Sequence, residues 1–188
     1  ADAEVGATYS YTVTSDGGAA AVTGSGTVSS ATEQVTGIDV SSLPDGTLTF
    51  SATLTDTSGN TGSAATATTT LDTTAPAGYS ITADDSLIGA SEAAATSFTF
   101  ADAEVGATYS YTITSDAGGT PVSGSGPIAS ATEQVTGIDV SSLPDGTLTF
   151  SVTLTDTAGN TGSAATATAT FDSAPLGYTI TANDSLVN

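Results

Sequence analysis

Thr147-Leu148-Thr149-Phe150-Ser151-Val152-Thr153-Leu154-Thr155 puts an apolar side chain at every even position and a hydroxyl at every odd one. Successive strand side chains point to opposite faces, so this stretch reads as a strand with one face in a core and one in water. Residues 109–114 (YSYTIT) alternate in the same way, and so do 165–171 (ATATATF), with small inward residues. Shorter strand candidates are 79–82, 96–100 and 133–136, and Gly, Asp, Asn, Pro and Ser cluster between them as turns require. Residues 91–95 are Ala-rich but short, and no stretch carries a helical stripe.

The string ATEQVTGIDVSSLPDGTLTFS occurs twice unchanged, at 31–51 and 131–151. Residues 1–72 align with 101–172 without a gap; they differ at 13 of 72 positions and are identical at the other 59. APAGYSITADDSL (75–87) returns as APLGYTITANDSL (174–186). The period is near 100 residues, the size of a domain and not of a solenoid unit. The natural boundaries are Asp72-Thr73-Thr74-Ala75-Pro76 and Asp172-Ser173-Ala174-Pro175. Three stretches follow: 1–72, a repeat lacking its first two strands; 75–172, a complete repeat; and 174–188, the first strand of a third. This phase and the absent initiator Met predict an excised fragment, its first repeat completed by further chain or by strand exchange with another molecule.

About seven short strands per repeat predict an all-β chain of tandem immunoglobulin-like antiparallel β-sandwiches. Tyr109, Tyr111, Ile113, Leu148, Phe150, Leu154 and Phe171 are the expected core of the second copy. That core is light, but a domain of this size buries enough surface to fold.

Composition removes most function classes. The chain has 20 Asp plus Glu and no Lys, Arg, His, Cys, Met or Trp. Without cations it has no electrostatic basis for binding nucleic acid, and an anionic membrane surface repels it. No apolar run approaches the ~20 residues that span a bilayer, so direct membrane insertion is not expected. The usual general bases and strong nucleophiles are missing, as are the N and S ligands of zinc, copper and haem. No disulfide can form. A net charge of −20 destabilises a compact state by self-repulsion. Bound hard cations would offset it, and an oxygen-only inventory points to Ca²⁺ as the cofactor. An acidic surface that is merely soluble is the plain alternative.

IDVSSLPDGTLTFSATLTDTSGNTGSAATATTTLDTTAP (38–76) resembles the bacterial Ig-like repeats of giant RTX and biofilm-type adhesins. LPDGTLTF, the TDTSGN turn, the Ala/Thr last strand and the LDTTAP exit carry the resemblance, and DAEVGATYSYT looks like the family's second-to-third-strand turn. The resemblance implies an extracellular extender (stalk) at the bacterial cell surface. Such repeats stack on their neighbours in the same chain, Ca²⁺ commonly rigidifies the junctions, and a terminal region does the binding. The RTX nonapeptide itself does not occur here.

In a seven-strand sandwich, the loops after the second and sixth strands share the pole where the first strand starts. The last strand ends at the opposite pole. Stacking is therefore expected to bring Asp72 near Asp102 and Glu104 (DAEVG) and near Asp156 and Asn160 (DTAGN). These five are the candidate metal ligands, with carbonyls and water completing the shell. Asp and Asn are also ordinary turn residues. Asp84 and Asp85 form a weaker second candidate, and Asp139 and Asp145 read as plain turn chemistry. No EF-hand loop is present.

Two other functions are open to such a chain. Paired carboxylates support glycoside hydrolysis in other folds, but here they fall in repeated turns, and no enzymatic activity is expected. A carbohydrate- or ice-binding face built on Thr166, Thr168 and Thr170 is the alternative to the extender, although outward Thr is what strand propensity gives anyway.

Overall fold

The computed structural model describes residues 3–174 and 179–181. It divides into two compact units, residues 1–74 and 75–188. Strands and turns make up the described residues, with no helix among them.

The first unit holds β1 (Thr8–Ser15), β2 (Val22–Thr27), β3 (Gly46–Thr55) and β4 (Ala65–Leu71). They form one antiparallel sheet in the order β2-β1-β3-β4. The second unit holds β5 (Ser80–Ala83), β6 (Leu87–Gly89), β7 (Thr96–Ala101), β8 (Thr108–Ser115), β9 (Gly118–Pro127), β10 (Gln134–Ile138), β11 (Gly146–Thr155) and β12 (Ala165–Asp172). These make two sheets, β10-β7-β5 and β6-β12-β11-β8-β9. The all-β sandwich expected from the alternation is therefore present in the second unit. It has eight strands because the first one splits. β5 pairs antiparallel with β7 in one sheet, and β6 pairs parallel with β12 in the other.

The even positions of β11 decide where the core lies. Leu148, Phe150, Val152 and Leu154 are all fully buried. They face Phe98 and Phe100 of β7, which are equally buried. Phe98 meets the Tyr111 and Phe150 rings edge-on at centroid distances of 5.8 and 6.2 Å, and Phe100 lies 5.9 Å from Tyr109. Edge-on aromatic pairs of this kind add stabilisation beyond the area they bury. Ile113 and Phe171 are buried as expected, while Tyr109 and Tyr111 are half-buried at the sheet's side. Their rings lie over Gly126 and Gly124 of β9, their direct cross-strand partners. A side chain at Gly124 would meet the Tyr111 hydroxyl at 2.6 Å. Glycine here is room for a ring, which is why a Gly-rich stretch forms a strand that alternation alone does not reveal.

The first unit repeats the large sheet and its registers: Thr8 faces Thr55 as Thr108 faces Thr155, and Tyr11 faces Ala52 as Tyr111 faces Val152. It has no counterpart of β5, β6 or β7. Residues 34–38, identical to β10, form no strand. Its buried cluster is Val13, Leu43 and Leu48, flanked by half-buried Tyr11, Phe50 and Leu71. The strand expected within 174–188 lies largely outside the described residues.

Candidate functional site

The loop after β7 carries Asp102 and Glu104. The Ala103 and Gly106 N–H groups donate to Ala131 and Ile128 carbonyls at 3.0 and 2.9 Å, which fastens the loop to the segment before β10. Asp102 takes a left-handed backbone (φ 56°), a conformation Asp tolerates better than most residues. Both carboxylates are exposed.

The loop after β11 is self-contained. Asp156 accepts the Asn160 backbone N–H on Oδ1 and the Asn160 side-chain amide on Oδ2, both at 2.8 Å. Gly159 makes the turn with φ 97°, and Asp156 N–H donates to the Asn160 carbonyl at 3.0 Å. Burial pushes the Asp156 carboxyl up, but the Asn160, Gly159 and Ala158 hydrogen bonds outweigh it and hold the group below the usual range. The first unit builds the same loop at Asp56–Asn60, with the same two contacts at 2.8 Å.

Of the five candidate ligands, the fold of the second unit thus brings Asp156 and Asn160 into direct contact. Asp102 and Glu104 sit together in the neighbouring type of turn. Asp72 belongs to the first unit, at the exit of β4, where it accepts the Thr74 N–H at 3.0 Å. The donor chemistry is that of a hard cation. Within either unit, however, no three carboxylates of the described residues are gathered to hold a metal ion.

Among the weaker candidates, Asp84, Asp139 and Asp145 turn out to have structural partners. Asp84 accepts hydroxyls from Ser97 and Thr99 at 2.5 and 2.7 Å and the Gln134 amide at 2.9 Å, so it ties β5, β7 and β10 together. Burial pushes its carboxyl up, yet these three bonds together hold it below the ordinary value. Asp139 caps its own turn through Ser141. Sequence reading took Asp145 for plain turn chemistry and did not single out its copy Asp45; both instead hold the exit of the last strand. Asp45 accepts the Thr73 N–H and hydroxyl at 2.9 and 2.7 Å and the Thr74 hydroxyl at 2.6 Å; Asp145 accepts the Ser173 N–H at 3.0 Å. The signal was the LPDG string itself, repeated in each copy ahead of the strand that pairs with the last one. Thr166, Thr168 and Thr170 are exposed along β12.

A solved tetra-tandem repeat from the extending region of a large adhesion protein is 31% identical over 91% of this chain and 43% of its own, at a TM-score of 0.43. By sequence the chain is similar to adhesin extender repeats. A structure from a study of host-surface retention by a 1.5-MDa bacterial ice-binding adhesin is 23% identical over 90% of this chain and 55% of that one, at TM-score 0.42. A two-domain fibronectin type-III segment of chicken tenascin follows at 12% identity over 89% and 86%, at TM-score 0.38. The chain spans about half the length of the two adhesin structures. No protein-family model matches it, and no curated protein matches it.

Proposed function

We propose that this chain is an extender segment of a bacterial cell-surface adhesin: an extracellular, non-catalytic spacer that holds a distal binding region away from the surface and is stiffened by Ca²⁺. The observation that carries the reading is the duplication. Two stretches identical at 59 of 72 positions repeat the same strand registers and the same loops. Interchangeable copies supply length, whereas recognition needs one good site.

The connector supports the same reading. On the first unit, Asp45 holds Thr73 and Thr74 through three hydrogen bonds. On the second, the Tyr79 hydroxyl donates to the Ser163 carbonyl at 2.6 Å and accepts the Leu154 N–H at 3.1 Å. Pro76 is buried, with its carbonyl so near Gly162 that any side chain there would collide with it. Each end of the connector is tied to its own unit, and Ala75 lies between the ties. A short tether containing Pro is stiff by composition as well.

Ca²⁺ enters through chemistry: 20 carboxylates with no Lys or Arg to neutralise them. Asp72, Asp102, Glu104, Asp156 and Asn160 are its proposed ligands. Small-angle scattering tests the extender. Lengthening the chain by one further repeat should add about 40 Å to its longest dimension, the length of a strand of about a dozen residues. A particle that thickens without lengthening contradicts the proposal. Millimolar Ca²⁺ should raise the melting temperature by mass action, and Asp156→Ala should abolish the rise. An unchanged melting temperature removes the calcium part alone.

A further inference from the structure

Eight of the 13 differences between the copies fall within residues 17–29, which hold the β1–β2 turn and β2 itself. β2 ends its sheet, and its copy β9 ends the larger sheet of the second unit, so this strand is an outer edge in the complete repeat as well. The Val28 and Ile128 N–H groups donate to the Ala7 and Ala107 carbonyls at 2.8 Å, so both residues face the neighbouring strand. Backbone groups alternate in direction along a strand. Thr23, Ser25 and Thr27 of β2 therefore face outward, as do Pro121, Ser123, Ser125 and Pro127 of β9. A proline has no N–H to offer, and on an outward position it keeps a further strand from pairing. The β8–β9 ladder also shifts register between Ile113 and Ser115. The first unit has Ala21 and Thr27 in place of the two prolines, and its β1–β2 ladder runs without a shift.

We infer that the β2 edge is a strand-pairing site, and that its partner is the β2 edge of a second copy of this chain, antiparallel about a two-fold axis. With Ser25 opposite Ser25 of the other copy, Thr23 falls opposite Thr27. All three pairs use outward groups, so each exchanges two backbone hydrogen bonds. Their side chains are exposed hydroxyls on one face, which pair favourably across strands. Charge favours the same place. Two chains of net charge −20 repel each other, and residues 17–32 carry no Asp or Glu, so the two edges meet where that repulsion is weakest. Residues 117–132 are equally free of charge, so the prolines, and not charge, set the two edges of the chain apart. Pairing of this kind follows from backbone geometry and does not depend on an extender role.

The test is sedimentation equilibrium of the full chain at millimolar concentration, in high salt to screen the repulsion between copies. Dimers should form. Ala21→Pro combined with Thr27→Pro should weaken them about tenfold or more, because each Thr23–Thr27 pair loses a donor. The second unit carries prolines at both of these places, so the fold accepts them. Amide exchange by NMR locates the contact. The Thr23, Ser25 and Thr27 N–H groups should exchange more slowly in the dimer than in the monomer, while Gly24 and Gly26, which face β1, should not change. Three results overturn the inference: a chain that stays monomeric, dimers that the two prolines leave intact, or dimers in which the three outward amides exchange as fast as in the monomer. Either of the last two would assign the association to another surface.

Discussion

Val35 and Val135 sit in the same 21-residue string, yet Val35 is 37% exposed and Val135 is 7% exposed. Their local chemistry is matched. Glu33 and Glu133 each accept the N–H of the Ser three residues before, at 3.1 Å, and Leu43 and Leu143 close the same turn at 2.9 Å. What differs is the partner. Residues 134–138 pair with β7, and Val140 donates to the Ala93 carbonyl at 2.7 Å. The first unit has neither β7 nor Ala93. Identical strand propensity thus gives a strand in one copy and none in the other, because cross-strand pairing and burial stabilise a strand more than its own residues do.

The strongest way to break the contrast is to remove the covering layer. Phe98→Ala deletes a fully buried ring and should cost the second unit about 3–5 kcal/mol. It should also loosen 134–138 and leave the first unit untouched. Residue-resolved urea unfolding by amide NMR separates the two units. A cost of equal size in both would mean that β7 is not what distinguishes them.

Glycine padding sharpens the contrast further. Gly124→Ala sets a methyl group against the Tyr111 ring, which is held in place by Phe98. Overpacking of that kind should cost about 1–3 kcal/mol. At Gly24 the same methyl meets Tyr11, whose ring has no Phe above it and swings aside, so the cost should be smaller. Equal losses in the two variants would show that the Tyr11 ring is as confined as Tyr111.

The smallest effect is electrostatic. The Asp84 carboxyl is held below its ordinary value in the folded state. Its contribution is therefore fully present above the unfolded value of about 3.9 and is lost as pH falls through the lower folded value. Asp84→Asn should destabilise the second unit at neutral pH, and the gap to the parent should close in acid below pH 4. A gap that stays the same size from neutral pH into acid would assign the effect to shape and not to charge.

Much of this fold was legible in sequence because alternation with period two is a direct image of a half-buried strand. Leu148 through Leu154 carried that image without interruption. β9 was not legible, since its inward residues are Gly124 and Gly126, which have no hydropathy to read and matter through the Tyr rings opposite. The split of the first strand into β5 and β6 was hidden too, because Asp84 looked like a loop carboxylate and is a clamp across three strands. At the candidate cation site, the Asp156–Asn160 contact followed from the DTAGN turn. The part played by Asp45 required the fold, because its partners Thr73 and Thr74 lie 28 and 29 residues away.

Hydrogen exchange in the two copies of the shared string tests the central claim most directly. Peptides beginning at Ser29 and at Ala129 differ in mass, so mass spectrometry tells the copies apart. Amides of 134–138 should exchange slowly, as members of a paired strand, while those of 34–38 should exchange close to the unprotected rate. Equal protection in the two copies would contradict the account, because it would mean the string forms its strand without β7.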